Sequence, residues 1–258
     1  MTSRNKNNWF DVDELAPGLF GIAEFGHIEK VISFLLIGTE RCLLIDTGMG
    51  FFSMKEIVQK ITSLPCQVLN THSHFDHVGS NFEFTEVAMF DHPANRKAAN
   101  EGFAPNYLAR WAAVDQFGGE PPAGMSFPYA VSSFPHAQFF CEGEIFSAAP
   151  FALQAIHTPG HCDDSVCFFE AQHGWLFTGD LLYEGSIYLE KEGGLSKFRR
   201  SIEKIKQLNN LRRIFSSHNA FEFPVERLEL LQGALTEVTA AELDTEVTIG
   251  SELKLVPS

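Results

Sequence analysis

Apolar residues recur along this chain in short runs broken by glycine and polar turns, and at intervals the period lengthens to that of a helix. Ala16–Ala23, Val31–Ile37 and Arg41–Asp46 read as three strands, with Gly26 and the Gly38-Thr39 pair supplying the breaks. Phe52–Leu64 places Met54, Ile57, Val58 and Ile61 at helical spacing and is stopped by Pro65. A strand over 67–71 follows, then a helix opening at Asp76, a strand over Val87–Phe90 and a helix over Ala94–Asn100. His92, directly ahead of Pro93, reads as a capping or surface residue rather than a metal ligand.

Residues 101–140 break this rhythm. Pro105, Pro121, Pro122, Pro128 and Pro135 interrupt a stretch rich in Phe, Tyr and Trp, in which only Tyr107–Phe117 is expected to be helical. Two readings stand. The stretch is an insertion packed on the outside of a core, or an aromatic lid or pocket wall suited to an acyl or other apolar group, over its own site or a partner's. Strands resume at Phe151–His157, Ser165–Glu170 and Trp175–Thr178. An amphipathic helix over Leu195–Leu208 presents Phe198, Ile202, Ile205 and Leu208 on one face. Arg213–Ser216 is a further strand, Pro224 opens a helix reaching Ala240, and Glu246–Val256 is expected to add or pair a strand. Strands alternating with helices predict an α/β chain with strands inside and helices outside. No repeat, low-complexity tract or linker divides residues 1–258, so a single domain is expected.

Composition narrows the picture. The chain is 45% hydrophobic and carries no apolar run long enough to span a bilayer. Its first six residues lack the apolar core of a signal peptide, which points to the cytoplasm. With 33 acidic against 19 basic side chains the formal charge is -14, which argues against general nucleic-acid binding. Anionic small substrates stay open, because bound divalent cations dominate a local field. Arg199-Arg200 and Arg212-Arg213 read as solvated faces rather than a nucleotide clamp. Five cysteines form no CxxC pair, so reduced thiols are expected, with Cys162 either in the core or lining a site.

The candidate chemistry begins in Gln67-Val68-Leu69-Asn70-Thr71-His72-Ser73-His74-Phe75-Asp76-His77-Val78-Gly79-Ser80-Asn81. His72 and His74, two apart in extended backbone, point the same way, and Asp76 and His77 at the following turn reach a second point nearby. Three further donors each follow an apolar strand: His161 after Thr158-Pro159-Gly160, Asp180 after Phe177-Thr178-Gly179, and His218 after Ser216-Ser217. Gly160 and Gly179 permit the turns that aim the next side chain inward. Together the seven supply nitrogen and oxygen donors enough for two metals sharing one carboxylate. Asp46, at the end of Leu43-Leu44-Ile45, is either a turn cap or a group that orients a ligand by hydrogen bonds.

This ordered set, from about residue 17 to 238, resembles the metallo-β-lactamase superfamily of metallohydrolases. The resemblance implies an αβ/βα sandwich, two mixed β-sheets flanked by helices. It also implies that His72, His74 and His161 hold one metal and Asp76, His77 and His218 a second, with Asp180 bridging and Asp46 in the structural position. Imidazole and carboxylate donors suit zinc and also accept iron or manganese; the absence of thiolate weakens an exclusive claim for zinc. Two cations would acidify a shared water and aim a metal-bound hydroxide at an acyl carbonyl or a phosphorus, with Asp76 or Asp180 relaying the proton. Tyr183, three residues after Asp180, is either a core aromatic or the donor to the substrate oxygen. Its Gly179-Asp180-x-x-Tyr183-x-Gly185-Ser186 setting and His218-Asn219-x-Phe221 resemble the acyl-CoA thioesterase group of the superfamily, and the Tyr spacing is shared with acyl-homoserine lactonases. Ser217 stands where many relatives carry Gly, and the glyoxalase II pattern around Asp180 is poorly matched. The expected substrate is thus a small acyl molecule, a thioester first and a lactone or ester second, with β-lactam opening as a side reaction. A phosphodiesterase, an iron oxidoreductase and a non-catalytic metal-binding protein are weaker alternatives, and a homodimer is compatible with each.

Overall fold

A computed structural model describes residues 9–118, 121–125, 127–237, 247–249 and 253–257. The chain divides into two compact units, the first containing described residues up to Met89, Pro93–Phe139 and Ala148–Pro150. The second contains Phe90–His92, Phe140–Ser147 and the described residues from Phe151 onward.

The first unit is built on a seven-stranded sheet of β1 (Asp11–Ala16), β2 (Leu19–Ala23), β3 (Ile32–Ile37), β4 (Cys42–Ile45), β5 (Cys66–Leu69), β6 (Glu86–Phe90) and β7 (Gln138–Phe140), in that order. β1 to β4 pair antiparallel, and β4, β5 and β6 pair parallel. The parallel step needs a crossover, supplied by α1 (Met54–Ile61), whose buried Met54, Ile57 and Val58 are those the period selects. Ser53 caps it by accepting the Glu56 N–H at 3.1 Å. α2 (Phe75–Val78) and α3 (Pro93–Glu101) follow β5 and β6.

β1 was not expected as a strand, and the strand placed at Ala16–Ala23 is two, turning at Pro17-Gly18. Gly18, at φ 77°, takes the left-handed turn position that suits glycine. β1 carries Asp11, Asp13 and Glu14 because it is an edge strand whose Val12–Glu14 stretch is exposed on both faces. The helix expected over Tyr107–Phe117 is corrected to a single turn, α4 (Pro105–Leu108), and a short 3₁₀ turn at Val114–Gln116. Tertiary pairing overrides the local pattern there. Ile28 N–H donates to the Gln116 carbonyl at 2.9 Å, and Gly118 N–H to that of Gly26 at 3.2 Å.

His27 fastens the aromatic stretch from the other side. Its Nε2 donates to the Trp111 carbonyl at 2.9 Å, and its Nδ1 accepts the Glu29 N–H at 3.2 Å. Trp111 Nε1 donates to Glu29 Oε1 at 3.0 Å. The imidazole is buried, and desolvation holds its pKa below the ordinary 6.5. Below pH 6.5 the unfolded chain therefore takes up a proton that folded His27 refuses. This contribution to stability is complete above pH 6.5 and is lost as pH falls through the folded value. The melting temperature of wild type relative to His27→Gln is expected to drop between pH 7.5 and 5.5. A constant difference across that range would show that His27 is not held neutral.

The Gly48–Gly50 loop after β4 lies against Gly79 at the end of α2. A Cβ on Gly79 would stand 2.2 Å from the Met49 carbonyl carbon and 2.4 Å from the Gly48 oxygen. Backbone against backbone cannot yield by a rotamer change, so Gly79→Ala is expected to cost about 3 kcal/mol, the upper end for overpacking. A circular-dichroism melt reads it; an unchanged midpoint would mean that the loop has room.

The second unit holds a six-stranded sheet in the order β14-β13-β11-β10-β9-β8, from β8 (Ile145–Ala148), β9 (Phe151–His157), β10 (Val166–Glu170), β11 (Trp175–Phe177), β13 (Arg213–Phe215) and β14 (Glu222–Phe223). β12 (Ser186–Leu189), β15 (Val247–Ile249) and β16 (Leu253–Pro257) form a three-stranded sheet in which β16 pairs parallel with β12. The tail thus pairs a strand as expected over its described part; Glu246 and 250–252 lie outside it. α5 (Gly194–Lys206) buries Phe198, Ile202 and Ile205, each worth roughly 1.5–3 kcal/mol. α6 (Glu226–Glu237) starts two residues after Pro224, and its expected extension to Ala240 lies outside the described residues. β7, β8, β12 and β14, short and lacking a clear period, were not anticipated.

Candidate metal centre

In the first unit, β4 and β5 run parallel with Ile45 opposite Leu69, so Asp46 and Asn70-Thr71-His72 leave the sheet at the same edge. Asp46 is buried and sits at φ 60°, a conformation that few side chains other than Asn and Asp adopt. Its Oδ1 accepts the Thr71 N–H at 2.8 Å, and its Oδ2 accepts the Thr71 hydroxyl at 2.8 Å. The same Oδ2 stands 2.8 Å from His77 Nδ1. Thr71 has spent its one proton on Asp46, so His72 Nδ1, 3.0 Å from Thr71 Oγ1, must be the donor to it. Both tautomers follow. His72 and His77 carry protons on Nδ1 and present lone pairs on Nε2.

Those nitrogens meet the other donors of the motif. His72 Nε2 lies 3.1 Å from His74 Nδ1, and His77 Nε2 lies 3.8 Å from Asp76 Oδ2. Two imidazole nitrogens on one tetrahedral cation, each bound at about 2.0–2.1 Å, would stand about 3.3 Å apart. The His72–His74 spacing fits such an ion. A layer of amides holds the turn: Asn70 Nδ2 donates to the His77 carbonyl at 2.9 Å, and Asn81 Nδ2 to Asn70 Oδ1 at 2.8 Å. Thr47 Oγ1 lies 2.8 Å from Asn81 Oδ1 and donates to it.

Glu24 was missed by sequence reasoning. It is buried and accepts the Met49 N–H at 2.7 Å and the Trp9 indole N–H at 2.7 Å. Burial raises its pKa from 4.5 to about 7, against those two hydrogen bonds, and the Asp76 charge adds to the rise. Tyr129, from the aromatic stretch, donates its hydroxyl to the Met49 carbonyl. The loop after Asp46 is thereby gripped at Met49 through both its N–H and its carbonyl. Nothing in the local pattern around Glu24 marks it.

In the second unit, three strand ends converge. His161 follows β9, Asp180 follows β11 and His218 follows β13, and all three are buried. Thr178 N–H donates to the Phe215 carbonyl at 2.9 Å, tying the last two ends together. Gly179 takes φ 52° and turns the chain into Asp180. His161 Nδ1 is 2.9 Å from the Tyr188 carbonyl, which can only accept, so its lone pair is on Nε2. That Nε2 is 3.4 Å from Asp180 Oδ2, while His218 Nε2 is 3.1 Å from Asp180 Oδ1. Each oxygen of one carboxylate thus faces a different imidazole.

Tyr183 is buried with its ring 5.2 Å from that of His218, and its hydroxyl accepts the Tyr188 N–H at 3.4 Å. Cys162, beside His161, is a buried thiol 3.0 Å from Ser165 Oγ, and desolvation pushes its pKa well up. Within the first unit, then, His72, His74, Asp76 and His77 come together over Asp46; within the second, His161, Asp180 and His218 do so beside Tyr183. Five imidazoles and two carboxylates, without a thiolate among the seven, suit a divalent ion of intermediate hardness.

Mixed sheets with helices and clustered His and Asp donors at strand ends define a metal-dependent hydrolase. The chain belongs to the metallo-β-lactamase superfamily, whose family model matches residues 30–218. It is similar to the acyl-coenzyme A thioesterase MBLAC2 of Gallus gallus, 30% identical over 192 residues that cover 69% of this chain and 68% of that protein. It is also similar to the atrochrysone carboxyl ACP thioesterase of Aspergillus fumigatus, 31% identical over 176 residues, 66% of this chain and 45% of that one. Among solved structures, a metallo-β-lactamase family protein from Thermus thermophilus aligns with a TM-score of 0.65 at 25% identity, covering 91% of this chain and 86% of that one. The expected fold class, two large mixed sheets with helices, is the one found.

Proposed function

We propose that the chain is a dinuclear-metal hydrolase that cleaves an acyl thioester. His72, His74 and His161 hold one ion, Asp76, His77 and His218 the other, and Asp180 joins them, with both units forming one domain. The observation that carries the two-ion reading is Asp180, whose oxygens lie 3.4 Å and 3.1 Å from the Nε2 atoms of two different histidines. The thioester follows from the relatives named as thioesterases and from the Asp180-x-x-Tyr183 setting. Zinc suits these donors first, and iron or manganese next. Bound divalent cations there supply Lewis acidity and lower the pKa of water.

The chain's own residues do the rest. Asp46 fixes the His77 ring directly and the His72 ring through Thr71, so the donor atoms are aimed before any ion arrives. In this reading Asp76, which stands 3.8 Å from His77 Nε2, or Asp180 takes or relays a proton. The Tyr183 hydroxyl is the donor for the thioester carbonyl oxygen as charge develops there. No helix among the described residues is long and apolar enough to cross a membrane. A small acyl substrate met in the cytoplasm belongs to the same reading.

Zinc-loaded protein would be offered acyl-CoAs, acyl-homoserine lactones, simple esters and a phosphodiester. The highest kcat/KM is expected on an acyl-CoA, and prior removal of metal by a chelator should abolish it. Cleavage of the phosphodiester alone would sink the acyl reading, and a preference for lactones would move the substrate to that class.

A further inference from the structure

Away from the ligand cluster, β4 and β5 begin with a matched pair of thiols. Cys42 and Cys66 are direct partners in the parallel register, so their side chains leave the sheet on the same face. Both pack against the same apolar cluster. Neighbouring strands lie about 4.7–4.9 Å apart, inside the Cα separation of about 4.4–6.8 Å that a disulfide spans. The two thiols are close enough that each shifts the titration of the other. The Cys42 thiol also lies 3.5 Å from the Pro65 carbonyl. Cys42 is buried, whereas Cys66 is partly exposed at the end of its strand. We propose that Cys42 and Cys66 are a reversible dithiol–disulfide site, closed by exchange with a low-molecular-weight disulfide such as glutathione disulfide.

The order of steps follows from access. Cys66 is the less buried residue of the two, so the proposal has its sulfur meet the external disulfide first. Its thiolate attacks glutathione disulfide, forming a Cys66–glutathione mixed disulfide and releasing one glutathione thiolate. Cys42 then attacks the Cys66 sulfur, forms the protein disulfide and expels the second glutathione thiolate. Two protein thiols are oxidised, one glutathione disulfide is reduced to two thiols, and the two protein protons pass to the leaving thiolates. The neighbouring Cys42 and burial together hold the Cys66 thiol above its ordinary pKa, so the first attack is slow at neutral pH and is expected to speed up as pH rises.

The bond would tie together the two strands that lead to Asp46 and to His72, closing the loop that contains α1. Loop closure restrains the unfolded chain, so the oxidised protein is expected to melt several degrees higher than the reduced one.

Metal-loaded full-length protein would be incubated with glutathione disulfide, its remaining thiols alkylated, and its peptides mapped without reduction. A cross-linked peptide containing Cys42 and Cys66, two hydrogens lighter than the reduced pair and lost on treatment with dithiothreitol, is the expected result. Cys42→Ser should stop the reaction at the Cys66–glutathione adduct, and Cys66→Ser should leave Cys42 unmodified. Cys141, which is exposed, reports that the oxidant was active in the same sample. If Cys141 is glutathionylated while Cys42 and Cys66 remain thiols, or if Cys66 pairs only between molecules, the proposal is wrong.

Discussion

Asp180→Ala is expected to lower kcat/KM on an acyl thioester by about 10³-fold and to leave the protein short of at least one metal ion. A cation that stabilises developing charge contributes several kcal/mol, and each 1.4 kcal/mol is about tenfold in rate. The two oxygens of Asp180 each face a different histidine of the second unit, His161 at 3.4 Å and His218 at 3.1 Å. Removing it takes a negative charge from both proposed ions at once. Alanine at any single histidine removes one neutral donor from one ion. The ordering expected is therefore Asp180→Ala below His218→Ala in both metal content and rate. Asp180→Asn keeps volume but cannot offer two anionic oxygens, and should resemble the alanine variant. Elemental analysis beside single-turnover kinetics reads both quantities, and a thermal melt of the metal-free proteins checks that the fold survives. Retention of two ions per chain with unchanged kcat/KM in Asp180→Ala would end the bridging assignment.

What the amino-acid sequence disclosed depends on how local each constraint is. The donors between His72 and His77 were legible because four of them fall within six residues at a strand-to-helix turn, and the structure gathers them there. His161, Asp180 and His218 were legible for a related reason: each closely follows a short apolar strand. Glu24 was not, because its partners are Trp9 and Met49, 15 and 25 residues away, and a glutamate at a strand end carries no mark of burial. Thr71 escaped likewise. It looks like any strand-end threonine until its hydroxyl is seen between Asp46 and His72. The false helix over Tyr107–Phe117 shows the opposite failure, a plausible period defeated by long-range ties to Gly26 and Ile28. Pairing between distant strands is invisible to spacing as well, which is why β12 was found only with its partner β16.

Asp46→Ala should weaken metal binding by 10- to 100-fold or more, although Asp46 is no ligand. Partners that orient a ligand are typically worth about that range, and Asp46 serves two ligands at once, His77 directly and His72 through Thr71. The cost to the metal-free fold is expected at about 3–5 kcal/mol, the scale for removing one partner of a buried, hydrogen-bonded pair. Alanine also has to occupy φ 60°, where aspartate is tolerated and alanine is strained. Asp46→Asn separates these effects. Asparagine accepts the left-handed conformation, and its carbonyl still receives the Thr71 N–H, so stability should largely return. Its amide cannot accept from either the Thr71 hydroxyl or His77 Nδ1, so both rings lose the group that set their tautomers. Metal affinity in Asp46→Asn should therefore stay low while the melting temperature of the metal-free protein recovers. Titration with zinc under a competing chelator, set against calorimetric melts, distinguishes the two. If affinity recovered together with stability, Asp46 would be holding the backbone alone and the imidazoles would be aimed by something else.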